Sequence, residues 1–204
     1  MKNTLFYSLL FICILRSISA SAQEHHAQTP WEGPCPPEGS ATTERLQALN
    51  ILKNKPAEWP ATRPTAWNIE QVINAEPHDD KDDFNNGELA QLKGYLVSFK
   101  EEGPESCNCK LGNAKEKTGD VHMYIGLAPD APKSECVVVE ITPSFKQLHP
   151  DYEKYLQNNT PITITGYLLY DVEHMAQAAN TCKSCGSVWR KTCWEIHPIV
   201  HIEE

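Results

Sequence analysis

Three short segments place carboxylates and imidazoles at spacings that could do chemistry: Asp120-Val121-His122, Glu140 inside an apolar run, and Glu195-Ile196-His197. Residues two apart on a strand share one face, so each acid–histidine pair presents both groups together. Such a set could hold a divalent metal such as zinc, with Asp120 or Glu195 orienting a histidine from behind. It could equally supply a general acid and base. Glu173-His174 adds a third acid–histidine pair, in a loop. The competing reading is solvation: alternating polar residues are what the wet face of a strand looks like. Glu140 would then be satisfied by a neighbouring strand, and His197 would end its strand before Pro198. No G-x-S-x-G elbow, P-loop or HExxH segment is present, so no catalytic residue can be assigned.

The cysteines are the next reactive group. The chain has eight, of which Cys13 lies in an N-terminal leader, leaving Cys35, Cys107, Cys109, Cys136, Cys182, Cys185 and Cys193. In an exported chain disulfides are the default. Cys182 and Cys185 could close locally, and one cysteine of Cys107-Asn108-Cys109 could reach Cys35. Cys136 and Cys193 stand where two strands of a barrel would meet, which suggests a third bridge. A structural zinc site or a redox pair are the alternatives. However, the single CxxC lies in a loop rather than at a helix start, and a CxC stands where a zinc ribbon wants a second CxxC.

These groups must be positioned by strands. From Glu88 onward the pattern gives five: Leu89 to Phe99, Asp120 to Leu127, Glu135 to Thr142, Pro161 to Tyr170 and Trp194 to Ile202. A broken helical stripe over 143–157 separates the third from the fourth. The order β-β-β-α-β-β is that of an OB-fold barrel, and residues 88–204 suit its size. Gly94 and Gly166, inside the first and fourth strands, allow bulges or close backbone approach. An immunoglobulin-like sandwich would want about seven strands and no central helix. Ahead of the barrel, residues 23–87 form an extension. It holds a helix over 42–53 with leucines at 46, 49 and 52, a Pro-rich segment, a short second helix over 68–74 and an acidic loop over 78–83.

Residues 1–22 have a basic start, an apolar run from Leu5 to Leu15 and an Ala-x-Ala end, which predicts a secretory signal peptide cleaved after Ala22. The run is too short to span a bilayer. The mature protein is expected in the periplasm or outside the cell, with no membrane span. Over 204 residues the formal charge is −9, and losing Lys2 and Arg16 makes the mature chain two charges more acidic. That balance argues against binding phosphate backbones, although Tyr95, Phe99, Tyr124 and Tyr167 could stack on bases.

Seven segments occur in order: Leu49-Asn50-Ile51-Leu52-Lys53-Asn54, Gly94-Tyr95-Leu96-Val97, Cys107-Asn108-Cys109, Asp120-Val121-His122, Val139-Glu140-Ile141-Thr142-Pro143, Gly166 to His174, and Trp194-Glu195-Ile196-His197-Pro198. Together they resemble a group of exported bacterial OB-like proteins carrying LNxLKN, CNC, DxH, VEITP, GxLLxDxEH and WEIHP segments. The resemblance covers roughly residues 45 to 200. It implies the barrel and export, and it assigns no activity. The leading expectation is an exported binding module for a small ligand, a glycan or a protein partner. The alternatives are a metal-dependent hydrolase acting on phosphoesters through the His/carboxylate cluster, and a binder of single-stranded nucleic acid.

Overall fold

The computed structural model describes residues 35–76, 88–110, 119–182 and 184–203. The leader and the acidic loop lie outside these residues. The elements run α1 (Glu44–Lys53), β1 (Thr65–Trp67), α2 (Ile69–Ile73), β2 (Leu89–Glu101), β3 (Val121–Gly126), β4 (Val137–Ile141), α3 (Pro143–Leu148), β5 (Thr160–Tyr170) and β6 (Trp194–Glu203). Short 3-10 turns follow β3, α3 and β5. Strands β2 to β6 are the five expected from the sequence, and they close in the order β2-β3-β4-β6-β5 with β5 returning to β2. The β4–β6 pairing is parallel and the other four are antiparallel. This is a closed, mixed, five-stranded OB-like barrel with a helix between its third and fourth strands. Closure leaves the barrel without free edges.

β2 is long enough to serve both neighbours. Its first half pairs with β5 and its second with β3, and the register shifts between Leu96 and Ser98, as a bend of this kind requires. Gly94 is needed for close approach: a side chain there would meet Ile69 of α2 and Ile125 of β3. Gly166 sits at the register shift between β5 and β6, against Ile196 and the Pro198 carbonyl. The short β1 was not expected as a strand. Pro60 and Pro64 hold that segment extended, and it adds in parallel to Ala90–Leu92.

One face of β3, β4 and β6 fills the barrel. Val121, Met123 and Ile125 meet Val137, Val139, Ile141 and Ile196, all essentially without exposure. Burying each such side chain contributes about 1.5–3 kcal/mol. The extension shares this core rather than trailing beside it: Leu49 of α1, Ala57, and Ile69 and Val72 of α2 belong to the same cluster. Thr43 caps α1, and Asn68 and Gln71 form a capping box on α2. Asn50 on α1 and Asn54 at its C-terminal cap reach the Glu38 carbonyl, Ser106 and the Cys107 carbonyl, so the helix also anchors the Cys107-Asn108-Cys109 loop.

Candidate functional site

The opposite face of the same three strands was expected to be wet. It is buried instead. Asp120, His122, Glu140, Glu195 and His197 are each at most 2% exposed. Strand pairing sets His122 opposite Glu140, and Val138 opposite both Tyr124 and Glu195. Four pieces of chain outside the barrel strands cover them: Lys53 at the end of α1, the loop bearing Glu105 and Cys107, the turn bearing Asp171 and His174, and Trp189-Arg190 before β6. His197 does not end a strand. β6 runs on to Glu203, and His197 is enclosed within it.

The contacts form a continuous polar network. Glu140 sits between the two histidines, with Oε1 2.8 Å from His122 Nε2 and Oε2 3.0 Å from His197 Nδ1. Neither contact has aligned hydrogen-bond geometry, and both Glu140 oxygens and both His122 nitrogens are buried without such a partner. His197 Nδ1 instead pairs with Glu195 Oε1 at 3.2 Å. Arg190 donates to Glu195 Oε2 at 2.6 Å and, through Nε, to the Thr192 carbonyl. Lys53 donates to Asp171 Oδ2 at 2.8 Å, and His174 Nδ1 lies 2.7 Å from the same oxygen. On the outer side His122 Nδ1 is 3.1 Å from Glu102 Oε1.

Electrostatics divides the acids. Burial opposes charge on Glu140, but His122 and His197 hold its carboxyl well below the usual range. Burial and the neighbouring Glu140 push Asp120 up to about 7. His197, despite burial, is raised to about 10 by Glu140 and Glu195. His122 is raised well above its ordinary value by Glu140 and Glu102 against the same desolvation. Lys53 and Arg190 stay cationic beside Asp171 and Glu195. Among the described residues no Lys or Arg is paired with Asp120, and only His197 and His122 oppose its rise. Its Oδ2 faces the Cys107 thiol at 3.7 Å, and burial and Asp120 push that thiol upward.

The structure therefore brings Asp120, His122, Glu140, Glu195 and His197 into one network. His174 joins it at the edge through Asp171. Glu173 is exposed, and its backbone amide donates to Asp171 Oδ1. Ligand atoms of Asp120, Glu140 and His197 lie within 4.8 Å of one another, as do those of Glu105, Cys107 and Asp120. His122 is in neither group. Sequence reasoning missed Lys53, Glu102, Glu105, Asp171, Trp189 and Arg190, and it treated Cys107 only as a bridge candidate. Lys53 and Asp171 did stand inside the LNxLKN and GxLLxDxEH segments.

Two of the three expected disulfides are present and one is not. Cys35 bridges Cys109, and Cys182 bridges Cys185. The expected Cys136–Cys193 bridge does not form; both thiols are free and buried, as is Cys107. The parallel β4–β6 ladder that suggested it has only two residue pairs and does not extend back to these positions. Cys136 packs instead with Tyr124 and Val138, whereas Cys193 joins the main core.

Beside the network is a cavity of about 300 Å³ lined by Lys100, Glu102, His122, Tyr124, His174, Gln177 and Trp189. Trp189 stacks on His122 at 6.1 Å between ring centroids and meets His174 and Tyr124 edge-on. Of the four aromatic residues that might stack on bases, Tyr124 is buried beneath Trp189 with Lys133 over its ring, and Lys55 lies over Tyr167.

No family model and no curated protein matches the chain. Among solved structures, an Entamoeba histolytica asparaginyl-tRNA synthetase aligns with 70% of this chain and 24% of its own, at 13% identity and a TM-score of 0.35. The matched part is thus about a quarter of that protein, and the likeness is too distant to carry functional meaning.

Proposed function

We propose that the protein is an exported binding module whose ligand site is the cavity bounded by Lys100, His122, Tyr124 and Trp189. The observation that carries this reading is the cavity's place. It opens on the side of β3, one of the strands that commonly form the ligand face of OB barrels. About 300 Å³ is at the lower end of small-ligand pockets. Its lining combines a cation on Lys100, a carboxylate on Glu102, two imidazoles and the Trp189 ring, which suits a small polar ligand such as a saccharide or a hydroxy acid. Burial argues against the hydrolase alternative, because Asp120, Glu140 and His197 have no exposed face for a phosphoester to reach. The leader in the sequence and the Cys35–Cys109 bridge across 74 residues both support export. Among the described residues no helix is long and apolar enough to cross a membrane.

The test is calorimetric titration of the purified, oxidised protein with a panel of mono- and disaccharides and small hydroxy acids. At least one should bind the wild type, and Trp189→Ala and Lys100→Ala should each weaken it at least tenfold. Absence of binding across the panel, or binding unchanged in both variants, overturns the reading.

A further inference from the structure

We propose that the Cys182–Cys185 bridge is a regulatory thiol–disulfide exchange site, opened by a protein dithiol, whose state sets the seating of Trp189 over the cavity. The effect on ligand binding rests on the cavity reading above; the exchange site itself does not.

The first observation is what each bridge does for the fold. A disulfide stabilises chiefly by constraining the unfolded chain, and more so the longer the loop that it closes. Cys35 and Cys109 are 74 residues apart, whereas Cys182 and Cys185 are three apart. The first bridge is a staple. It is also flanked by independent ties, since the Ser40 amide donates to the Ser106 carbonyl and Asn54 donates to the Pro37 and Cys107 carbonyls. The second bridge restricts the unfolded chain little, so its effect is local.

The second is where that bridge stands. The loop between β5 and β6 has two stems held together. Ala178 pairs with Arg190, the Ala179 and Asn180 amides donate to the Arg190 and Lys191 carbonyls, and Asn180 Nδ2 donates to Thr192 Oγ1 at 3.0 Å. The first stem runs on to Cys182, whose amide donates to the Ala178 carbonyl. Beyond it the ties stop: residues 184–188 form no hydrogen bond or ion pair with other described residues. Ser184, Gly186 and Ser187 are exposed, and Gly186 faces open space. The bridge is what fastens this tip to its stem.

The third is what the tip carries. Trp189 follows it, with its ring centroid 6.1 Å from His122, 6.0 Å from Tyr124 and 5.6 Å from His174. The bridge holds the Cys182 and Cys185 Cα atoms 5.5 Å apart. Three residues of open chain reach about 10 Å. Opening the bridge therefore lengthens the tether ahead of Trp189. Arg190, bonded to Glu195 and the Thr192 carbonyl, keeps the base of the loop in place.

The exchange balances with a dithiol donor. One donor thiolate attacks a bridge sulfur and forms a mixed disulfide, and the other bridge sulfur leaves as a thiolate and takes up a proton. The donor's second thiol resolves the mixed disulfide. The donor ends as a disulfide and Cys182 and Cys185 as thiols, a transfer of two electrons and two protons. Both bridge cysteines are half-buried between exposed neighbours, whereas the free thiols of Cys107, Cys136 and Cys193 are buried.

The experiment equilibrates the whole oxidised protein with graded dithiothreitol, a small dithiol standing for the donor, and identifies open bridges by alkylation and peptide mapping. Cys182–Cys185 should open at a dithiol concentration at least tenfold below that for Cys35–Cys109. Amide hydrogen exchange over 178–192 should then quicken at least tenfold, with β2 to β5 unchanged. Cys182→Ser combined with Cys185→Ser should exchange fast without reductant and should bind any ligand of the wild type at least tenfold more weakly. Cys136→Ser should change neither. Earlier opening of Cys35–Cys109, slow exchange over 178–192 in the double variant, or loss of protection throughout the barrel overturns the exchange site. Undiminished ligand affinity in the double variant overturns its control of the cavity. A wild type that binds no ligand overturns the cavity reading and that control, while the exchange rates still decide the bridge.

Discussion

The two faces of β3, β4 and β6 are equally buried and obey different physics. The inner face is wholly apolar, from Val121, Met123 and Ile125 to Val139, Ile141 and Ile196. Its stabilisation is non-directional and roughly proportional to the area removed from water. The outer face sequesters His122, Glu140, Glu195 and His197 to the same degree, with Lys53, Asp171 and Arg190 enclosed around them. Taking each charge out of water costs several kcal/mol, which mutual attraction repays only when geometry is good. The inner face thus explains why the barrel is stable. The outer face adds little net stability for its size, so its presence is better explained by something that these charges do.

The largest expected effect tests whether the outer face is a set of interdependent charges. Arg190→Met removes the cation from Glu195 and leaves a buried carboxylate beside His197. Breaking a buried pair from one side costs about 3–5 kcal/mol. Arg190→Met combined with Glu195→Leu should recover part of that loss, because the unpaired carboxylate is gone and His197 keeps Glu140 Oε2 at 3.0 Å as its partner. Urea denaturation of the single and double variants measures both. If the double variant is no more stable than Arg190→Met alone, the outer face is not held by this pairing and the contrast with the inner face fails.

Much of this molecule is visible in its sequence, though unevenly. The five strands and the helix between the third and fourth follow from alternation and from breakers such as Pro143 and Pro150, because those signals are local. Asp120, His122, Glu140, Glu195 and His197 are visible for the same reason: a charge inside an apolar strand stands out. What covers them is not visible. Lys53 and Asp171 are 118 residues apart, and Arg190 lies in an irregular loop. Nothing in their neighbourhoods signals burial, since long-range closure leaves no periodic trace. The solvated-face reading failed at that step. Alternation reveals that two faces differ in polarity, and it cannot reveal that a second layer of chain lies over the polar one. The Cys136–Cys193 expectation failed similarly, because strand adjacency was extended past the last paired residue.

The inner face should respond in small, graded steps. Ile125→Val removes one buried methylene from the barrel interior and should cost about 0.5–1.5 kcal/mol, read as a lower urea midpoint with the slope unchanged. Ile125 and Ile141 stand at opposite ends of the β3–β4 ladder, so Ile125→Val and Ile141→Val together should cost the sum of the two to within about 0.5 kcal/mol. Non-additivity of several kcal/mol would mean that the apolar face is as cooperative as the charged one. The comparison between the faces would then lose its basis.

The smallest effect concerns the rim of the network. Around His174 stand Asp171 on its own turn, Lys53 from α1, Arg190 from the loop before β6, and His122 from β3. Burial disfavours its charge and Asp171 outweighs that, so its value in the folded protein lies above the ordinary one. The sign follows from linkage. A histidine whose value is raised by folding contributes stability that is fully present below its unfolded value, about 6.5, and is lost as pH rises through the folded value. Asp171 moves the other way: it is held well below the usual carboxylate range, and its contribution persists until strongly acid pH. His174→Gln should therefore be less stable than wild type at pH 6, and the gap should narrow as the pH is raised toward 9. Urea midpoints of both proteins across that range measure it. A gap that stays constant with pH would show that His174 acts only by filling space beside Trp189, and that the charged character of the outer face stops short of its rim.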